Sequence, residues 1–543
     1  MASPHLNDVK QISDIELTVA AGPSSPSDVE VFDDSAGHVL EKYRGTSADL
    51  RDMNIMGKKQ VLRRNFNFIT MLGFASTCVA SWEGILTYLG FVLTDGGTPL
   101  LFWGFIACAA GQTLVYASIA EMASIISNGS PTAGGQYHWV SEFAPRRTQK
   151  ILSYFSGWLT AIGWQVYLAS VCFLVGTIIQ GLIVLNDSTY VYQRWHGTLL
   201  SISIVVFCII FNTALASRLP IIEGMVLILH ILGFFAIIIP LWVMAPRGNG
   251  HVVLLEFTNY GGWSSTGLSA MIGLLAPMAV LVGYDCSVHM SEEIKDASVT
   301  LPRAIMGSVV VNITLVFIVI ITICFTLGDA ASVLASPTGY PFIQLFYNAT
   351  QSYVGTNVMT AIIIVMLSAC AVSEVAAASR QIWSFARDAG LPGHSWLSKV
   401  SPSWNIPVPA VAVSLTISAL LSLINIGSAV ALNAITSLGA IAVLISYFLT
   451  ISCVVYRRLQ GPVLPARRWS LGRWGLAINC AALAFLVPLI FFLTWPLVTP
   501  VTATTMNWSS VMMCGTLILA AIYYVFKGRK EYVPPVVHVK RQE

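Results

Sequence analysis

The chain has 543 residues, 55% of them hydrophobic and only 10% charged, and its formal net charge at pH 7 is +3. Soluble domains carry roughly 25% charged residues, so the composition excludes an ordinary soluble protein. The small positive net charge reflects the orientation of the chain in the membrane and does not indicate a nucleic-acid partner.

Apolar runs fill the chain between two polar tails. About 65 polar residues, rich in Ser, Asp and Pro, come first. We expect residues 1–65 to form a disordered cytoplasmic tail, not a cleavable signal peptide. A transmembrane domain is predicted at 66–526, followed by a short cytoplasmic tail at 527–543. The gaps between the apolar runs are short and leave no room for a second folded domain.

Twelve runs reach the ~20 residues that a helix needs to cross about 30 Å of hydrocarbon. The sequence therefore predicts an all-α polytopic membrane protein with twelve transmembrane helices. Their predicted positions, in chain order, are 66–93, 99–126, 151–184, 197–217, 220–245, 268–290, 303–328, 356–384, 408–427, 430–455, 475–497 and 508–526.

Lys and Arg residues concentrate in every second gap between the apolar runs. Of the 29 Lys and Arg residues, all but Arg194 and Arg247 lie in the two tails or in the gaps on the same side as the tails. Translocation resists cationic loops, so this asymmetry predicts that both termini are cytoplasmic.

The predicted topology also indicates which asparagine sequons can be glycosylated. The sequons at Asn186 and Asn348 fall in outward gaps, and we expect both to be glycosylated. Asn507 also lies outside but very close to the last helix, and Asn128 is predicted to be cytoplasmic. All ten cysteines fall within or at the ends of predicted helices, so neither a disulfide framework nor a metal site is expected.

The first and sixth runs are interrupted by polar or helix-breaking residues. The first carries Glu83, and a carboxylate inside the membrane costs about 2.5–3.5 kcal/mol on insertion scales. The sixth carries Pro277 and, after it, Gly283. Paired interruptions at corresponding positions of two repeats indicate a transporter binding site. Glycine and proline also occur in membrane helices for packing reasons, so either interruption alone leaves that alternative open.

Several motifs carry a family resemblance. They are 131–137 (PTAGGQY), 285–293 (DCSVHMSEE) with 302–305 (PRAI), 384–392 (SFARDAGLP), and 500–502 (PVT) with 506–507 (MN). Together they resemble the amino acid–polyamine–organocation superfamily and, within it, the fungal amino acid/choline transporter family of permeases for choline, γ-aminobutyrate and related amines. The resemblance covers roughly residues 60–530. It implies a leucine-transporter-type fold, with five-plus-five inverted repeats and two extra helices, and proton-driven uptake at the plasma membrane.

The resemblance also implies where substrate binds. In the family, two unwound segments hold the solute, with half-helix N-termini binding a carboxylate and free carbonyls binding an amine. Ala279 stands where many relatives carry a bulky aromatic gate, which implies a larger pocket. Trp82 and Tyr284 offer aromatic faces for an amine, or serve as ordinary packing residues. The implied substrate-binding residues are Ala80, Ser81, Trp82, Glu83, Gly84, Ala279, Leu281, Gly283 and Tyr284.

Three ionisable residues within the runs are candidates for proton coupling: Glu83, His230 and Glu374. His230 is equally typical of a buried structural histidine, and Glu223 lies on nearly the same helix face. We expect Glu83 to favour cationic or zwitterionic substrates over anions, because a bound cation would compensate its charge.

The sequence thus predicts a secondary active transporter that imports a small amine-bearing solute, such as an amino acid, γ-aminobutyrate, choline or a polyamine, by proton symport. An exchanger or facilitator of the same solutes and a non-transporting nutrient receptor remain alternatives. No catalytic motif is present in the sequence, so an enzyme is not expected. The expected partners are the solute, protons and the lipid bilayer; no cofactor, metal or nucleic acid is expected.

Overall fold

The structure is a computed structural model that describes residues 39–125, 132–427, 431–460 and 464–539. The helices are α1 (Ser47–Ile55), α2 (Phe68–Val79), α3 (Ser81–Thr87), α4 (Leu89–Thr94), α5 (Gly97–Ala123), α6 (Gln136–Phe143), α7 (Gln149–Asn186), α8 (Arg194–Asn212), α9 (Leu219–Met244), α10 (Gly250–Leu255), α11 (Thr266–Gly273), α12 (Leu275–Ala279), α13 (Cys286–His289), α14 (Ala297–Thr326), α15 (Ala330–Leu334), α16 (Pro341–Thr350), α17 (Tyr353–Arg387), α18 (His394–Leu397), α19 (Val408–Ser422), α20 (Ile424–Gly427), α21 (Ala431–Gln460), α22 (Gly475–Phe492), α23 (Ser509–Tyr523) and α24 (Arg529–Glu531). Two short strands, β1 (Asp95–Gly96) and β2 (Thr258–Asn259), pair antiparallel.

The prediction of an all-α polytopic membrane protein is confirmed. Among the described residues, 11 helical segments are long and apolar enough to cross a membrane, and each matches one of the predicted runs. The sixth predicted run is the exception, because its apolar helical part, Thr266–Ala279, is short and is followed by non-helical backbone. The long helix α7 lies at the centre and packs against α8, α17 and α21.

The first span breaks at Ala80. A capping box between Asn67 and Thr70 starts α2. Ala80 then adopts the left-handed conformation, with φ 42° and ψ 50°, between α2 and α3. That conformation costs an L-residue roughly 1–2 kcal/mol, so the surrounding packing must enforce it.

The sixth span breaks between α12 and α13. Pro277 lies within the short helix α12, and Gly283 has φ 113°, a value that side-chain-bearing residues rarely adopt. The backbone of this break finds buried partners. The Tyr116 hydroxyl donates to the Leu281 carbonyl (3.1 Å) and accepts from the Gly283 N–H (2.9 Å). Non-helical backbone at membrane depth needs such partners.

The expected disorder of residues 1–65 does not hold for its last part. Residues 1–38 lie outside the described residues, but α1 follows at Ser47 and is capped by Thr46. The Asp49 carboxylate accepts the backbone N–H groups of Asp296 (2.9 Å) and Ala297 (3.1 Å), at the start of α14. The charge-rich composition of this segment suits solvent, yet the Asp49 carboxylate satisfies backbone N–H groups at the start of a membrane helix.

The two described ends of the chain lie on one face, which we call the tail face. Lys58 forms an ion pair with Asp388 (3.2 Å), and the Val533 N–H donates to the Asp388 carbonyl (3.2 Å). Arg387 binds Glu292 through both terminal nitrogens, at 2.6 and 3.0 Å. Burial opposes ionisation of Glu292, yet the adjacent Arg387 guanidinium lowers its pKa to about 2.

The sequons differ in accessibility. Asn186 is exposed at the end of α7, whereas Asn348 is half-buried within α16 and accepts a hydrogen bond from Gln344 (2.8 Å). Asn507 is buried, and its amide donates to Ser437, Leu493 and Trp495. Asn128 lies outside the described residues. Glycosylation at Asn186 and Asn348 stays a prediction.

Candidate functional site

A cavity of about 30 Å³ lies between the two interrupted spans. It has room for a water or two, so it must enlarge to hold an organic solute. Its walls come from both interruptions and from the central helices α7 and α17. The lining residues are Cys78, Val79, Ala80, Gly84, Tyr88, Trp164, Tyr167, Val171, Leu174, Ala279, Val280, Val282, Gly283, Leu367, Cys370 and Glu374.

Four of the predicted substrate-binding residues line this cavity: Ala80, Gly84, Ala279 and Gly283. The other five, Ser81, Trp82, Glu83, Leu281 and Tyr284, are fully buried away from it. The Ser81 and Tyr284 hydroxyls hydrogen-bond each other (3.0 Å) and thereby join the two interruptions. The left-handed turn at Ala80 redirects the chain, so Ser81, Trp82 and Glu83 face neighbouring helices, and Gly84 returns to the cavity.

Glu374 is the one acidic side chain that lines the cavity among the described residues. Tyr88, Trp164 and Tyr167 line the same space. Within the described part of the chain, three buried polar atoms of this lining have no hydrogen-bond partner: Glu374 Oε2, the Trp164 indole nitrogen and the Tyr167 hydroxyl oxygen. A lone carboxylate among aromatic rings suits a cation, which gains both charge compensation and cation–π attraction.

Glu83 lies instead in a cluster with His230 and Trp82. The Trp82 indole N–H donates to His230 Nδ1 (3.1 Å), and the same nitrogen lies 2.7 Å from Glu83 Oε1. An imidazole nitrogen has a single lone pair, so Nδ1 either accepts from Trp82 or carries a hydrogen that it donates to Glu83. His230 Nε2 and Glu83 Oε2 are buried, with no partner among the residues that the structure describes. The short contact therefore holds one hydrogen, which belongs to His230 or to Glu83 according to the tautomer of the ring.

Glu223 is a further buried carboxylate. It accepts from the Thr77 hydroxyl (2.8 Å) on α2 and from the Ser373 hydroxyl (2.7 Å) on α17. It therefore ties α9 to both of these helices just beside the first interruption. The sequence placed Glu223 on the face of His230 but did not predict this bridge.

Sequence reasoning missed the aromatic lining of the cavity. Trp164 and Tyr167 are three residues apart in α7, a spacing that places both on one helix face. Two amphipathic rings on one face of an otherwise apolar central span were the available signal. Tyr88 offered no comparable pattern.

Comparison with known proteins decides the family. The amino acid permease family matches residues 66–519. The chain belongs to this family. It is therefore a multi-pass membrane transporter and not an enzyme.

Relatives come from fungi and plants. A Macrophomina phaseolina protein, named provisionally as an amino acid/polyamine transporter, is 32% identical over 449 residues, which cover 81% of this chain and 97% of the relative. The choline transporter of Saccharomyces cerevisiae is 28% identical over 477 residues (87% and 83%). The amino-acid permease BAT1 of Arabidopsis thaliana is 27% identical over 500 residues (89% and 95%).

Proposed function

We propose that this permease imports a small amine-bearing solute across the plasma membrane by proton symport through alternating access. The solute class includes amino acids, γ-aminobutyrate, choline and polyamines, which are the solutes that the resemblance implies. The names of the relatives, which include choline, amino acid and polyamine transport, support this class. The observation that carries the proposal is the buried Glu374 carboxyl in the cavity between the two interruptions, whose Oε2 has no hydrogen-bond partner among the described residues.

Glu374 takes the role that the sequence assigned to Glu83. An amine or quaternary ammonium beside Glu374 would compensate the buried charge, while Tyr88, Trp164 and Tyr167 would surround it with aromatic faces. Ala279 leaves space where a larger side chain would fill the cavity. The site therefore favours cationic and zwitterionic solutes over anions.

Glu83 and His230 then serve as the proton site. The 2.7 Å contact between His230 Nδ1 and Glu83 Oε1 supports this role, because two such atoms approach this closely only with a hydrogen between them. Trp82 and Glu83 follow closely after Ala80, so a change at the first interruption moves the proton site together with the cavity wall. This connection supports coupling of proton binding to substrate binding.

Alternating access requires that one face be closed at a time. On the tail face, the ion pairs Lys58–Asp388, Arg387–Glu292 and Arg380–Glu293 connect the N-terminal segment, the end of α17 and the segment before α14. These pairs close that face. We infer that they separate when the solute is released to the cytoplasm.

The test is radiotracer uptake of choline, γ-aminobutyrate, amino acids and polyamines by the wild type and by Glu374→Gln. This change keeps side-chain volume and removes the charge, so we expect uptake of a cationic solute to fall at least tenfold, equivalent to about 1.4 kcal/mol. The matched control is Glu256→Gln, an exposed carboxylate that pairs with His251 far from the cavity. Wild-type uptake by Glu374→Gln at normal surface levels would overturn the proposed site.

A further inference from the structure

A second buried acid–histidine pair lies beside the other interruption. Asp285 and His289 occupy one face of the backbone that follows the sixth-span break, and both are fully buried. His289 Nε2 lies 3.5 Å from Asp285 Oδ2. The Asp285 carboxylate also accepts from the Tyr447 hydroxyl and from Gln136 Nε2 (2.5 Å). The roles proposed above for the cavity and for Glu83 do not use this pair.

The hydrogen bonds of His289 fix where its proton lies. His289 Nδ1 is 2.9 Å from the Ala133 carbonyl, which only accepts, so Nδ1 carries the hydrogen. Gly135, with φ 52°, has no side chain to hold the imidazole away from this segment. In the neutral ring the other nitrogen, Nε2, is then an acceptor, and no described residue donates a hydrogen bond to it.

Two acceptors therefore face each other in a buried space. An ionised Asp285 and a neutral His289 present a carboxylate oxygen and a bare nitrogen across 3.5 Å with no hydrogen between them. One added proton on Nε2 removes this conflict, because the resulting imidazolium donates toward a carboxylate that already holds its charge with two other donors.

The groups facing the pair come from several elements. Tyr447 reaches it from α21, Gln136 from α6, and Tyr116 bonds to Tyr447 at 3.5 Å. From α17, Arg380 is held by Glu293 (2.7 Å), and Glu374 lies in the cavity. Cys286, next to Asp285, meets Cys78 of α2. Among the described residues no cation beside the pair replaces the missing proton.

The pair also lies between the cavity and the tail face. The Trp164 ring lines the cavity and meets the His289 ring edge-on, with centroids 5.5 Å apart. Beyond His289 the chain continues directly to Glu292 and Glu293, which bind Arg387 and Arg380 on the tail face. His289 thus touches the cavity wall through Trp164 and stands shortly before the residues of two tail-face ion pairs in the sequence.

We propose that Asp285 and His289 form a second proton-binding site, through which the transported proton leaves toward the cytoplasm. The inference rests on the proton symport proposed above. His289 Nε2 takes up one proton and becomes an imidazolium paired with Asp285. Release of that proton to cytoplasmic water restores the neutral ring, so each cycle returns the pair to its starting state.

The test compares wild type, His289→Asn and the control His394→Asn in cells whose cytosolic pH is set with an ionophore while external pH is held constant. Asparagine keeps an N–H donor for the Ala133 carbonyl and removes the titrating nitrogen. His394 is a partly exposed histidine on the tail face that lies 3.4 Å from Glu531. The probe is whichever of choline or γ-aminobutyrate the wild type accumulates. Both net uptake and exchange against preloaded solute are measured.

We expect wild-type net uptake to fall as the cytosol is acidified, because a higher cytosolic proton concentration opposes release of the proton from His289. In His289→Asn, net uptake should fall at least tenfold and lose its response to cytosolic pH, while exchange stays within about twofold. If His289→Asn does not reach the surface, His289→Gln is measured in the same way. The control should behave as wild type.

Failure of the proposed proton symport and failure of the second proton site give different results. If the wild type ignores an uncoupler and both external and cytosolic pH, proton symport itself is wrong. If the wild type is proton-driven but both His289 variants keep its net uptake and its response to cytosolic pH at normal surface levels, only the second site is wrong.

Discussion

Replacing Asp49 with asparagine should release the N-terminal segment from the tail face. Asp49 accepts two backbone N–H groups at the start of α14 and lies 3.3 Å from Arg64 Nη1. Arg64 is buried as well, and it also donates to the carbonyls of Ser291 (3.2 Å) and Ile294 (2.5 Å). The Asp49→Asn change would leave the Arg64 charge buried without its counter-charge.

The size of the effect follows from these contacts. Breaking a buried ion pair by removing one partner costs about 3–5 kcal/mol. Hydrogen bonds to charged groups contribute about 1.5–3 kcal/mol each, so the two bonds to α14 give a similar total. At about 1.4 kcal/mol per tenfold, the undocked fraction of the segment should rise by roughly two to three and a half orders of magnitude.

Limited trypsin digestion of membranes measures this fraction. Lys58 lies between α1 and the first span and is held by Asp388, so cleavage after it requires the segment to open. We expect Asp49→Asn to be cut far faster than wild type, and Glu41→Gln, an exposed carboxylate on the same segment, to be cut at the wild-type rate. Equal cutting of Asp49→Asn and wild type would refute the docking role of Asp49.

Three other predictions are open to direct measurement. Burial, followed by the charge of Asp49, raises the pKa of Asp52 to about 6, so the docked segment holds this proton more tightly than the free segment and docking weakens as pH rises through about 4 to 6. Asp52→Asn should therefore resist trypsin better than wild type at pH 7.5, and this advantage should shrink as the pH is lowered from about 6 towards about 4. No gain at pH 7.5 contradicts this. Glu83→Gln should reach the surface yet lose at least tenfold in accumulation and lose its response to external pH, which uptake assays with and without an uncoupler would show; retained coupling excludes Glu83 from the proton site. A glycosidase-sensitive mobility shift should disappear in the double variant Asn186→Gln/Asn348→Gln. It should persist in Asn507→Gln, because the Asn507 amide is buried and hydrogen-bonded. A shift that survives in the double variant refutes glycosylation at Asn186 and Asn348 alone.

Run length predicted the all-α membrane fold because the bilayer imposes it. A span needs about 20 apolar residues, so the spans could be located without any tertiary information. The interruptions at Ala80 and Gly283 were also predictable from helix-weakening residues next to a carboxylate or a proline. These sequence patterns do not give the rotation of each helix about its own axis.

That missing rotation explains the differences at the site. Glu83 and Glu374 are both acidic residues within apolar runs, and no periodicity distinguishes which of them faces the cavity. The left-handed residue at position 80 turns Glu83 toward His230, whereas Glu374 of α17 lines the cavity together with Trp164 and Tyr167. Likewise, the polar composition of residues 39–65 predicts solvent exposure, because the partners of Asp49 lie almost 250 positions away in the sequence.

The two interruptions behave as one unit because polar bonds link them. The Ser81–Tyr284 hydrogen bond crosses from one break to the other, and Tyr116 holds the second break while the edge of its ring meets Tyr284, with centroids 5.0 Å apart. Ala80 meanwhile stays in a conformation that costs about 1–2 kcal/mol. Any movement that relaxes Ala80 must therefore displace Ser81, and with it the bond to Tyr284. A solute that enlarged the cavity at one interruption would thereby loosen the other, and both acid–histidine pairs lie next to the backbone that would move.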